Sequence, residues 1–309
     1  LNAPITSNYL GFLEASDADI LHIHMQNPFH VFLALFSSAI RKKKLVITYH
    51  SDIYGKPFGF LADFLNELLL SKADAILPTS GNYVRTSSVL KKFKKRITVV
   101  PIGINLDKFK MTKKMKLEAE AIKKRFSLRK GKTLLFVGRL IPYKGVEYLL
   151  EAMPEILKRD PDVKLVVIGS GKLEKKLEAM TKTLGLRSRV VFLGSVKNIA
   201  AYYHACDVFV LPSVNRAEAF GIVQLEAMAC EKPVISTEIG SGTSFVNKNG
   251  ESGFVVRPKS REALSNAILK LLKNAPLRKR MGRNGYRRVK RLFTIKKMAE
   301  SVLEVYKKL

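Results

Sequence analysis

Short apolar runs alternate with longer amphipathic stretches along almost the whole chain, the pattern of βα units in which a parallel sheet lies between layers of helix. In the first part, runs at 19–24, 45–49, 75–77 and 97–100 predict four strands, with a helix at 60–70 among the elements between them. Pro101 and Gly103 close that series. A lysine-rich stretch at 108–132, with a predicted helix at 117–126, separates it from a second set of strands at 133–137, 164–168, 190–193, 207–211, 233–236 and 254–256. Six such runs, most followed by a helix, make a complete doubly wound domain. Four are fewer than a matching domain needs, so the opening βα units of the first domain are expected to be missing. From 261 onwards apolar positions such as Ala263, Ile268 and Leu271 recur at helical spacing, giving three helices. The predicted division is 1–107, 108–290 and a C-terminal helix at 291–309 that returns to the first domain.

Composition narrows the class. With 309 residues and 47% hydrophobic content the chain can bury two cores. The longest early apolar stretch, 31–40, is interrupted by Ser37 and Ser38 and is too short to cross a bilayer. Cys206 and Cys230 have no metal-ligand spacing and read as reduced core thiols. Fifty-five Lys and Arg against 26 Asp and Glu leave a charge of +29. That excess admits an anionic membrane or lipid-linked phosphate as partner, or a genome biased towards lysine. It is spread over 41–44, 91–96, 113–116 and 287–291, with few aromatics interleaved, which argues against a nucleic-acid groove.

Two segments carry candidate chemistry. The first is Phe136-Val-Gly138-Arg139-Leu-Ile-Pro-Tyr-Lys144-Gly-Val146, a buried strand ending on a glycine with two cations before the next helix. Ligands of doubly wound domains bind beyond the carboxyl ends of the strands, so Arg139 and Lys144 are placed to reach one diphosphate. The second is Glu218-Ala-Phe220-Gly221-Ile222-Val-Gln-Leu-Glu226. Ile222, Leu225, Met228 and Ala229 predict an apolar helix face, which leaves Glu218 in the preceding loop and Glu226 one turn into the helix. Phe220-Gly221 then lies at a helix N-terminus, where free N–H groups favour a phosphate. Either carboxylate can accept from the two hydroxyls of a sugar diol.

Together with Asp19-Ile-Leu-His-Ile-His24, Thr48-Tyr-His50-Ser-Asp52, Val100-Pro-Ile-Gly-Ile-Asn105 and Gly240-Ser-Gly-Thr-Ser244, these motifs resemble glycosyltransferase family 4 from Ala3 onwards. The resemblance implies an α/β fold of the GT-B type, two doubly wound Rossmann-like domains facing a cleft, with the first incomplete. It implies a retaining hexosyltransferase that needs neither cofactor nor metal, because Arg139 and Lys144 would balance the charge growing on the leaving nucleotide. Gly138, Phe220, Gly221 and Ile222 would approach the donor through their backbone, and Gly194, Ser195 and Val196 would pass beside the base. Glu226 would accept from the ribose and Glu218 from the transferred sugar. His50 resembles the family's active-site histidine, which orients sugar and acceptor. Asp52 is a weaker candidate, and His22 and His24 shape the end of the first strand, since no third ligand follows them for a metal.

Within the family, Thr48–Ile53, Arg216–Gly221 and Gly242–Val246 look most like bacterial polysaccharide mannosyltransferases. That subgroup implies GDP-mannose as donor and a growing lipid-linked glycan as acceptor. It also implies a cytoplasmic enzyme peripheral to the inner face of the membrane, with no nucleic-acid partner. The family's glycine-rich loop after its first strand is expected to be missing with the opening βα units, and the alternative is a non-catalytic fragment that binds a nucleotide sugar or a membrane.

Overall fold

The computed structural model describes residues 8–25, 28–52, 59–129 and 131–309. Ile53, the last residue of one motif above, lies outside them. The chain forms two compact units, 1–102 with 296–309 and 103–295. The chain passes between units at 102–103 and 295–296, whereas the sequence expectation set the divisions at 107–108 and 290–291.

Unit 1 contains α1 (Tyr9–Glu14), β1 (Ile20–Met25), α2 (Pro28–Phe36), α3 (Ala39–Lys42), β2 (Lys44–Tyr49), α4 (Gly59–Lys72), β3 (Ala75–Pro78) and α5 (Gly81–Thr86). Its three strands are parallel in the order β1-β2-β3. The predicted fourth strand at 97–100 does not form. Thr98 and Val100 donate to the Ile76 and Pro78 carbonyls, but only a single bridge, Ile76 to Ile97, results. Pro78 has no N–H to return, so the ladder stops there.

Along β1 the odd residues Leu21, Ile23 and Met25 are buried while His22 and His24 face the other way, as the two-residue period requires. In register His22 lies beside Val46 and His24 beside Thr48, so His22, His24, Thr48 and, two residues on, His50 share one side of the sheet. That side is covered by the last helix of the chain, Ile295–Tyr306. Its Val302, Val305 and Tyr306 pack on Val46, Ala75, Leu77 and Val100.

Unit 2 contains α6 (Lys113–Arg125), β4 (Thr133–Val137), α7 (Val146–Arg159), β5 (Lys164–Ile168), α8 (Glu174–Thr183), β6 (Val190–Phe192), α9 (Ile199–Ala205) and β7 (Val208–Leu211). It continues with α10 (Ile222–Ala229), β8 (Val234–Thr237), α11 (Thr243–Val246), β9 (Gly253–Val256), α12 (Arg261–Lys273) and α13 (Ala275–Leu292), which makes Ile295–Tyr306 α14. All six strands are parallel, in the order β6-β5-β4-β7-β8-β9. The order reverses between β4 and β7, the switch point at which doubly wound sheets open a crevice. Buried residues Val146, Leu149, Leu150, Met153 and Ile156 make one stripe of α7, seating that helix on the sheet next to β4.

Cys206 and Cys230 are free and buried in unit 2. Burial pushes the Cys206 thiol up to about 12 and the Cys230 thiol up as well.

Candidate donor site and histidine column

The loops that follow β4 and β7 flank the switch point and are joined to each other. Val214 donates its N–H to the Tyr143 carbonyl at 2.8 Å. Gly145, at φ +66°, is pressed against the same strand: a Cβ there would lie 2.2 Å from the Pro212 carbonyl oxygen, so only glycine fits. This close approach brings Lys144 and Glu218 together. Lys144 Nζ donates to Glu218 Oε2 at 2.5 Å, and Ser213 Oγ donates to the same oxygen at 3.0 Å. Both charged residues are 7% exposed, so water screens the pair little.

Lys144 also runs beneath Gly138, whose added Cβ would meet Lys144 Cε at 3.4 Å and Nζ at 3.5 Å. Arg139, in contrast, is exposed, and its guanidinium donates to the Tyr143 hydroxyl at 3.3 Å. The two cations of this loop therefore differ: Lys144 is held in place by a carboxylate, and Arg139 is reachable from solvent. The ladder extends beyond the strands on this side, with Gly138 N–H donating to the Ile168 carbonyl and Gly169 N–H to the Gly194 carbonyl. The Gly194-Ser195-Val196 loop thus lies at the same end of the sheet. A Cβ on Gly194 would meet nothing within 4 Å.

On the β7 side, Gly221 caps α10 at φ +75°, and a Cβ there would lie 2.6 Å from Gln224 Nε2. Phe220 is buried against Phe293, which leaves its backbone as the part available to a ligand. The sequence placed Ile222 on the buried face of this helix, but it is 40% exposed, and Gln224, Leu225, Ala227, Met228 and Ala229 are the buried positions. In the first turn of so short a helix, position 222 still points off its end.

Glu226 lies inside α10, where burial holds its carboxyl above the usual range, partly offset by a hydrogen bond from Tyr203 Oη to Oε2 at 2.8 Å. Tyr203, from α9, was not foreseen. Ser241 and Thr243, from the Gly240–Ser244 motif, are buried, and Ser241 Oγ donates to the Glu218 carbonyl at 2.7 Å, steadying the loop that carries Glu218 from behind.

In unit 1 the imidazoles of His22, His24 and His50 stack in a column. Ring centroids are 4.8 Å apart for His22 and His24 and 5.3 Å for His24 and His50, at interplanar angles of 25° and 26°. His22 is bonded at both nitrogens, Nδ1 with the Tyr306 hydroxyl at 2.6 Å and Nε2 with Thr48 Oγ1 at 2.7 Å. Burial lowers all three imidazoles, His22 and His50 to about 4, so the column is neutral at neutral pH. Asp52 accepts from the Tyr49 and Ser87 hydroxyls, each at 2.7 Å, and so braces the turn after β2. Among the described residues no group of three or more His, Cys, Asp or Glu side chains is arranged to hold a metal ion.

A family model for glycosyl transferases group 1 matches residues 118–288, and one for glycosyltransferase family 4 matches 3–108. The chain is 35% identical over 294 residues to O-antigen chain mannosyltransferase C of Escherichia coli, covering 94% of this chain and 75% of that one. The chain belongs to family 4 of the glycosyltransferases. This glycosyltransferase is also 36% identical over 285 residues to a D-rhamnosyltransferase of Pseudomonas aeruginosa, covering 91% of this chain and 71% of the relative. Its fold is GT-B. The structure of Anabaena HepE in complex with UDP and glucose superposes with a TM-score of 0.84 at 20% identity, covering 100% of this chain and 85% of that one.

Proposed function

We propose that the enzyme transfers mannose from GDP-mannose to a growing lipid-linked glycan with retention at the anomeric carbon and without a metal. The observation that carries the donor half is the Lys144–Glu218 pair at the switch point. It sets a cation for a diphosphate against a carboxylate for sugar hydroxyls, within hydrogen-bond reach of each other. In this reading Arg139 and Lys144 take the diphosphate, and the charge developing on the leaving nucleotide is met by fixed cations. The amides of Phe220, Gly221 and Ile222 approach the donor, Gly138 turns the backbone beside it, Gly194, Ser195 and Val196 run beside the base, and Glu226 accepts from the ribose. Glu218 accepts from the transferred sugar, and His50 orients sugar and acceptor.

The sugar is supported by two relatives, one that transfers mannose and one that transfers D-rhamnose, its 6-deoxy counterpart with the same configuration at C2 to C4. A lipid-linked acceptor at the inner face of the membrane is supported by the +29 charge and by the basic run Lys91–Arg96, which lies in unit 1 together with the exposed Phe12, Phe36 and Phe64. Each basic residue near an anionic surface adds about 1 kcal/mol.

Calorimetry with GDP-mannose, UDP-glucose and the free nucleotides, in chelator, on the wild type and on Glu226→Ala and Arg139→Ala tests the donor site. Binding of GDP-mannose and free GDP but not of UDP-glucose or UDP, weakened in both variants, is the expected result. Binding of UDP-glucose in preference, or a strict demand for a divalent cation, overturns the donor assignment.

A further inference from the structure

Between His24 Nδ1 and His50 Nε2, 3.0 Å apart, lies a hydrogen bond whose two partners are chemically alike. A neutral imidazole carries one N–H and one lone pair, so one proton must sit between the rings. If His50 donates it, His50 Nδ1 presents a lone pair, and if His24 donates it, His50 Nδ1 presents an N–H. In both arrangements Nε2 of His50 is taken and Nδ1 alone is left for a ligand.

The contact follows from the sheet. His24 lies beside Thr48 in register, and His50 follows Thr48 by two residues on the same side of β2. His24 is braced in turn by stacking on His22, whose two nitrogens are tied to Thr48 and to Tyr306 of α14. From the sheet outwards, a bonded ring thus supports a stacked ring, which supports His50.

We propose that His24 is a positioning residue, which grips His50 by Nε2 and thereby fixes the nitrogen and the ring orientation with which His50 meets sugar or acceptor. The proposal rests on the reading of His50 given above, and its structural part is testable without it. Among the described residues, two further imidazoles and one phenol line up with His50. His24 stands beside it, His22 lies behind His24, and the Tyr306 hydroxyl of α14 faces His22. Burial lowers the His50 pKa, and the neighbouring His24 lowers it further.

The test combines ¹⁵N spectra of the ring nitrogens in the whole chain with kinetics of GDP release from GDP-mannose, for the wild type, His24→Ala, His24→Asn and His50→Ala. In His24→Ala the His50 nitrogen signals are expected to move towards the shifts of a freely exchanging tautomer mixture, and its pKa to rise above the wild-type value. Its kcat is expected to fall about tenfold, the order of one lost hydrogen bond, while KM for GDP-mannose stays within about twofold. Asparagine carries a polar atom near the position of Nδ1, so His24→Asn should recover most of kcat. Unmoved His50 signals in His24→Ala, or an Asn variant as slow as the Ala variant, overturns the proposal. Wild-type kcat in His50→Ala overturns the role of His50 itself, and the ring spectra then still decide whether the grip exists.

Discussion

Tyr203 donates its hydroxyl to Glu226 Oε2 at 2.8 Å from a side chain with no exposed surface, so the carboxylate of α10 is held from inside unit 2 by a residue of α9. The bond supports the charged form of a carboxyl that burial pushes towards neutrality. Removing the hydroxyl while keeping the ring, as in Tyr203→Phe, should raise the pKa of Glu226 further. A protonated Glu226 is a poorer acceptor for a diol, so donor affinity in the variant should begin to fall at a higher pH than in the wild type as the solution is acidified. At neutral pH the expected loss is roughly tenfold in KM for the donor, the scale of one hydrogen bond to a charged group. Donor titrations across pH on the two proteins check it.

Arg139 and Lys144 lie in one loop and are separable by what their loss does to folding. Arg139 is exposed, so Arg139→Ala should weaken nucleotide binding while moving stability by no more than about 0.5 kcal/mol. Lys144→Ala strands the Glu218 carboxylate in a buried setting where Ser213 is its one remaining partner among the described residues, and breaking such a pair costs about 3–5 kcal/mol. Replacing both partners in Lys144→Met with Glu218→Gln should restore much of that stability but none of the donor binding. Denaturant melts beside calorimetry separate the two effects.

Gly145 allows a further structural prediction. Gly145→Ala adds a Cβ 2.2 Å from the Pro212 carbonyl at a positive φ that alanine disfavours, so the loops after β4 and β7 must part. A loss of about 2–4 kcal/mol is expected. Nucleotide binding should fall with it, because the separation also pulls Lys144 from Glu218. A variant that melts like the wild type would count against the close approach.

The second unit was nearly written out in the pattern of its residues, because β4, β5, β7 and β8 are wholly or almost wholly buried and so read as unbroken apolar runs. The predicted strand at 97–100 failed for a reason one proline carries: Pro78 cannot continue the ladder from the neighbouring strand, and a run's own composition does not report its neighbour's missing N–H. Lys144 and Glu218 were each legible, but their ion pair was not, since it depends on Gly145 letting two loops meet. Tyr203 went unseen because a tyrosine on a short apolar helix looks like core. The signal that existed was a buried hydroxyl in need of a partner and a lone acid on α10 in need of a donor. His24 was given to the strand end because sequence order hides the register that sets it beside His50.

The imidazole column makes the stability of unit 1 sensitive to acid. His22 and His50 have folded pKa values of about 4 against an ordinary 6.5, because burial disfavours their charged forms. Between those values the unfolded chain binds more protons than the folded one. The contribution of these groups is therefore fully present above pH 6.5 and is lost as the pH falls from 6.5 towards 4. Unit 2 has one imidazole lowered by burial, His204, whose Nε2 donates to the Phe109 carbonyl, so the steeper acid response belongs to unit 1. Hydrogen exchange at stepped pH should show protection in β1 and β2 falling over that interval before protection in β4 and β7 does. In His22→Gln, which keeps a polar contact but cannot titrate, the fall should be shallower. Equal loss of protection in both sheets, or an unchanged slope in the variant, would show that the column does not set the acid limit.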